Sequence, residues 1–123
     1  MIYDEFITSE SAKFLNQALE LKVSEKAQEW ALEAADRERV ADFIDYFQNA
    51  KLGQNKRLAL MELIVSSYSD YLESYEDKEG LWLRMSEVFS TDKELLSAIQ
   101  ARWPLELRNE FPVIELLHHC PSV

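Results

Sequence analysis

The chain is almost without backbone breakers, with two glycines and three prolines in 123 residues. Strand connections and hairpins draw heavily on Gly and Pro, and this sequence cannot supply many of them. Between the breakers lie mostly Ala, Leu, Glu, Lys and Gln, which lose little side-chain freedom in a helix. No run alternates apolar and polar residues over β-branched positions, and no Asn-Gly or Asp-Gly pair marks a hairpin. The expected fold is all-α, an irregular bundle or stacked helical hairpins of about six to eight short helices, in a single domain over 1–123. A chain of this length buries roughly two-thirds of its unfolded surface. Its 47% hydrophobic content is enough to fill that core.

The apolar spacing places the elements. A first helix is expected over Ser9–Leu21, capped by Ser9, with Phe14, Ala18 and Leu21 on one stripe and Leu15 and Leu19 beside it. Ser24 offers a cap for a second, burying Ala27, Trp30, Ala31 and Ala34. The next stripe, Val40, Phe43, Ile44 and Phe47, is rotated from it by about 150° on a common wheel. The chain is therefore expected to break near Asp36, which can cap a new helix. Gly53 suits a left-handed C-terminal cap. From Lys56 to Tyr75, capped by Asn55, a stripe of Leu58, Met61, Val65, Tyr68, Leu72 and Tyr75 is widened by Leu60, Ile64 and Tyr71. That breadth marks the central helix, contacted on more than one side. Leu81–Phe89 forms a short helix, and Ser90-Thr91-Asp92 caps another running to Trp103. Pro104 and Pro112 each start a further segment, and Pro121 closes the last.

Charge narrows the partner classes. With 13 Lys plus Arg against 23 Asp plus Glu, the net charge is −10. Nucleic acids and anionic membranes need a basic surface, and the densest basic cluster is only Lys51, Lys56 and Arg57. No apolar run approaches the ~20 residues of a membrane span. The acidic start, Met1 to Glu5, lacks the basic opening of a signal peptide. A single cysteine makes no internal disulfide. Together these give a cytoplasmic expectation. The acid is concentrated: residues 62–79 hold Glu62, Asp70, Glu73, Glu76, Asp77 and Glu79 against Lys78 alone. Placed after a helix C-terminus, such acids oppose the helix dipole. A local rule broken without visible compensation points toward function, and a solvated helix end is the plainer reading.

Catalytic constellations are sparse. Glu115 and His118 have the Glu-x-x-His spacing of helical di-iron sites, but a full site needs a second such motif. The chain has only two histidines, His118 and His119. With Cys120 they fall short of a zinc site and lack the distant base a Cys nucleophile requires. Histidines near a helix C-terminus are explained by its dipole. No phosphate-binding glycine loop, G-x-S-x-G or H-E-x-x-H occurs. No cofactor or metal is expected, and no enzyme.

The aromatics carry more. Tyr68, Tyr71 and Tyr75 recur at helical spacing among the acids, and Tyr is enriched at binding hot spots. Against this, Tyr68 and Tyr75 continue the buried stripe, with hydroxyls able to reach water. Trp30, Trp82 and Trp103 are expected in the core. Size, acidity and missing catalytic groups fit an immunity- or antitoxin-type inhibitor that occludes a basic, nuclease-like protein. This is an analogy of physical character. The expected contact surface is Asp70, Tyr71, Glu73, Tyr75, Glu76, Asp77 and Glu79. The alternatives are a helical adaptor or regulatory subunit with an apolar groove, and a small metal-dependent enzyme in a helical bundle.

Overall fold

The computed structural model describes residues 8–119 of the chain. Among these residues there are seven α-helices and no strand. They are α1 (Ser9–Ala18), α2 (Trp30–Ala34), α3 (Val40–Asn49), α4 (Gln54–Ser74), α5 (Leu81–Thr91), α6 (Lys93–Arg102) and α7 (Val113–His119). A 3-10 turn at Leu105–Leu107 precedes α7. The architecture is a small helical bundle, as the scarcity of breakers implied. Pro121 and Cys120 lie outside the described residues.

The bundle is organised around α4. Every residue from Leu58 to Ser69 is buried, so no face of its middle turns meets water. Helices α1, α2, α3, α6 and α7 all pack on it, while α5 lies against α3 and α6. A helix apolar all round is stable in water only when sheathed in this way. Ser66, Ser67 and Ser69 interrupt the large side chains and are themselves buried. Ser67 uses its hydroxyl oxygen to accept the Asp36 backbone N–H at 3.0 Å.

That bond fixes the break between the two out-of-phase stripes. Ala35 is extended at φ −55°, ψ 137°, and α3 restarts at Val40. Each half then buries its own stripe, Trp30, Ala31 and Ala34 in one, Val40, Phe43, Ile44 and Phe47 in the other. Asp36 does not cap α3. Its Oδ1 accepts the Glu38 N–H at 3.0 Å and closes the connecting turn instead.

Several expected boundaries move. Thr8, not Ser9, caps α1, accepting from the Ser11 N–H at 3.1 Å. The helix stops at Ala18, and Glu20 takes a left-handed φ of 56°. The stripe that needed Leu21 is therefore lost. The core side becomes Ala12, Leu15 and Leu19, and Phe14 is left 36% exposed beneath Lys56, whose Nζ is 4.4 Å from its ring centre. The Ser24 segment is turns until Trp30, because the Ser24 hydroxyl accepts the Lys26 N–H at 3.1 Å. Ser and Thr side chains compete with the helix ladder in this manner. Gly53 is not a left-handed cap: at φ −71°, ψ 172° it is the N-cap of α4, which places Asn55 inside the helix. Asp92 caps α6 as expected, accepting the Leu95 N–H at 3.1 Å.

One charge is buried in this frame. Glu62 of α4 is 7% exposed. Its Oε2 meets Arg102 Nε at 2.6 Å, and its Oε1 accepts the Trp103 indole N–H at 3.1 Å. Burial pushes the Glu62 carboxyl above the usual carboxylate range, with the Arg102 guanidinium and the indole opposing. Removing one partner of such a pair strands the other charge. Glu62→Ala is therefore expected to cost about 3–5 kcal/mol in urea unfolding. The double variant Glu62→Met/Arg102→Met is expected to recover about 2 kcal/mol of that loss.

Candidate functional site

The acidic segment begins on the last turns of α4 and continues into the turn that leads to α5. The helix ends at Ser74 and Tyr75 is extended at φ −135°, ψ 155°. Gly80, at φ 74°, makes the left-handed entry into α5, where a side chain would be strained even though open space surrounds the position.

Asp77 ties the turn down. Its Oδ1 accepts the Leu81 N–H at 2.9 Å and its Oδ2 the Trp82 N–H at 2.8 Å, both unsatisfied donors of the first turn of α5. The Tyr68 hydroxyl donates to Oδ2 at 2.8 Å. Burial pulls the Asp77 carboxyl upward, but the backbone donors and the tyrosine outweigh it and hold it below its ordinary value. Tyr68 is pushed up, by burial first and then by Asp77.

The tyrosines form a column beside this knot, its first pair stacked and its second tilted by 39°. Tyr68 and Tyr71 have ring centres 6.0 Å apart and 15° from parallel, and Tyr71 and Tyr75 are 5.0 Å apart. On the inner side Tyr68 stacks on Trp82 at 6.1 Å, and Trp82 leans on Phe89 at 6.3 Å. Tyr68 and Tyr71 are buried; Tyr75 is 45% exposed. Only part of the expected stripe thus continues into the core. Each hydroxyl bonds to protein: Tyr71 donates to the Glu76 carbonyl at 3.2 Å and Tyr75 to Glu38 Oε2 at 2.8 Å.

The seven expected contact residues divide accordingly. Glu73, Tyr75, Glu76 and Glu79 are exposed; Asp70 and Asp77 are half-buried and Tyr71 is buried. Burial, then the neighbouring Glu73, raises the Asp70 carboxyl. Asp77 and Tyr71 serve the turn's own structure, and the outward surface is carried by the other residues. Glu38 joins them from the α2–α3 turn. The nearby cations are Lys78, 4.0 Å from Glu76 with both side chains largely in water, and Arg37, which donates to the Ser74 hydroxyl at 2.7 Å and lies 3.7 Å from Glu38. Exposed pairs of this kind contribute little energy. Glu38 carried no sequence signal, because its partner lies 37 residues away.

The histidine cluster is occupied elsewhere. The His118 Nε2–H donates to the Trp103 carbonyl and the His119 Nδ1–H to the Glu115 carbonyl, each at 2.7 Å. Among the described residues no group of three or more His, Cys, Asp or Glu is arranged to hold a metal. No helix among them is long and apolar enough to cross a membrane. Compared with models of known protein families, with curated proteins and with solved structures, the chain matches none.

The Asp77 knot yields a pH signature. Because its carboxyl is held below the unfolded value, its contribution is complete above about pH 4 and fades as pH falls through the lower folded value. Asp77→Ala is expected to cost about 1–2 kcal/mol at neutral pH. In urea titrations across pH, the gap from the native protein should close below about pH 4.

Proposed function

We propose that this protein is a non-enzymatic binding protein of the immunity or antitoxin type, acting in the cytoplasm, which uses the α4–α5 turn to occlude a basic, nuclease-like protein partner. The observation that carries this reading is the exposed set Glu73, Glu76 and Glu79 around a half-exposed Tyr75. The set stands on a turn already held by Asp77, Gly80 and the tyrosine column. A pre-ordered turn loses little freedom on binding. Its carboxylates would take the places of substrate phosphates in a cationic cleft, and Tyr75 would supply a large, stiff anchor. Complementary charge of this kind acts chiefly on the rate of encounter.

The test is capture of partners from native lysate at low and high salt, followed by kinetics with the purified partner. A basic protein retained at low salt and lost at high salt is expected. The triple variant Glu73→Gln/Glu76→Gln/Glu79→Gln should slow association about tenfold with little change in dissociation. Tyr75→Ala should instead speed dissociation. A partner indifferent to salt, with an association rate unmoved by the triple variant, would overturn the reading in favour of an adaptor that binds through an apolar groove.

A further inference from the structure

A concave cleft of about 550 Å³ opens where the Glu25–Leu32 segment faces the α6–α7 connection, remote in sequence from the acidic turn. Part of its lining is apolar. Ala31, Leu107 and Phe111 line it beside the rings of Trp30 and Trp103. The polar edges of both indoles are turned to protein partners, Trp30 donating to Asn16 Oδ1 at 2.9 Å and Trp103 to Glu62 Oε1 at 3.1 Å. What they contribute to the lining is therefore carbon.

Charge in the cleft is one-sided. Glu62 and Arg102 in its lining are paired with each other at 2.6 Å and cancel. The remaining charged groups are Glu25, Glu29 and Glu110, and none of these forms an ion pair with any described residue. Glu25 is half-buried, and the other two are exposed. Apolar side chains sharing one lining with unpaired carboxylates are complementary to a cation on an apolar body. The volume lies within the range of small-molecule sites, roughly 300–1,000 Å³.

We propose that this cleft binds a small organic cation, an amine or guanidine carrying an aromatic or branched aliphatic body. The body lies on Trp103, Phe111 and Ala31, and the charged head meets Glu29 and Glu110 at the mouth. The site does not depend on the function assigned to the α4–α5 turn. It stands or falls by direct binding.

The probes are 2-phenylethylammonium and its neutral counterpart 2-phenylethanol, titrated into the full chain by proton–nitrogen NMR. Trp30 and Trp103 line the cleft, whereas Trp82 stacks on Tyr68 outside it. Saturable shifts of the Trp30 and Trp103 indole signals, with Trp82 still, are expected. The ammonium should bind about tenfold more tightly than the alcohol, the scale of one close charge pair at the edge of water. Glu29→Gln/Glu110→Gln should reduce that preference to about twofold while leaving the melting temperature unchanged, since neither side chain is paired within the described fold. Equal affinity for ammonium and alcohol would overturn the cationic assignment. Shifts that never saturate, or that move Trp82 equally, would overturn the site. Shifts produced by the basic peptide acetyl-Lys-Phe-Lys-amide and not by the free amine would also overturn the proposal, and would identify the cleft as a peptide groove.

Discussion

Burial of α4 on every side is the constraint from which the remainder follows. A 21-residue helix whose middle turns are buried on every face, apolar or small-polar but for Glu62 and Tyr68, has no amphipathic solution at the surface. It must be enclosed, and a chain of this size has only short helices left with which to enclose it. The break at Ala35–Arg39 is one consequence. A continuous α2–α3 helix would bury one stripe and expose the other, whereas two short helices parted by a non-helical connection bury both. Ser67 shows how tightly the two are joined. It sits in the centre of α4, yet its hydroxyl satisfies a backbone donor of the connection that wraps around it.

The acids that the helix-dipole rule disfavours follow from the same architecture. Negative charge at the C-terminal end of α4 would be unfavourable if the helix continued through it. The chain leaves the helix at Ser74 and redirects Asp77 to the opposite pole of the next helix, where two backbone donors receive it. Part of the concentrated charge is thereby structural. The residues that keep their charge in water are Glu73, Glu76 and Glu79, and their position is defined because the tyrosine column fixes the turn from beneath.

What could be read from sequence was what is decided locally or by periodicity. The central helix, the Asp92 cap and the burial of Trp30 and Trp103 all follow from spacing within a few residues. What escaped depends on contacts across the fold. The shift of Phe14 to the surface follows from the early end of α1, set by a left-handed Glu20 that no propensity rule favours. Gly53 could serve either end of a helix, and only its dihedral angles decide. Asp77 resembled its acidic neighbours until Tyr68, Leu81 and Trp82 were brought around it. The cleft escaped altogether, because its walls come from segments as far apart as Ala12 and Phe111. A lone Glu62 within an otherwise apolar stripe was its only trace.

The acidic α4–α5 turn and the tryptophan-lined cleft share one electrostatic origin. All six arginines have a partner: Arg39 lies over the Phe43 ring at 4.9 Å, and the other five stand in ion pairs, from the buried Arg102–Glu62 to the exposed Arg37–Glu38. Each ion pair removes one charge of either sign. The imbalance of −10 therefore passes undiminished to a smaller number of groups. The cations without a carboxylate partner among the described residues are Arg39 and every lysine but Lys78, and a lysine is a compact, strongly hydrated charge on a flexible stem that does not match a carboxylate in two-point geometry. A partner approaching this protein meets acids that are more uniformly unopposed than the composition alone implies. Where those acids border something apolar, at Tyr75 and at the tryptophan-lined cleft, the same imbalance acquires shape.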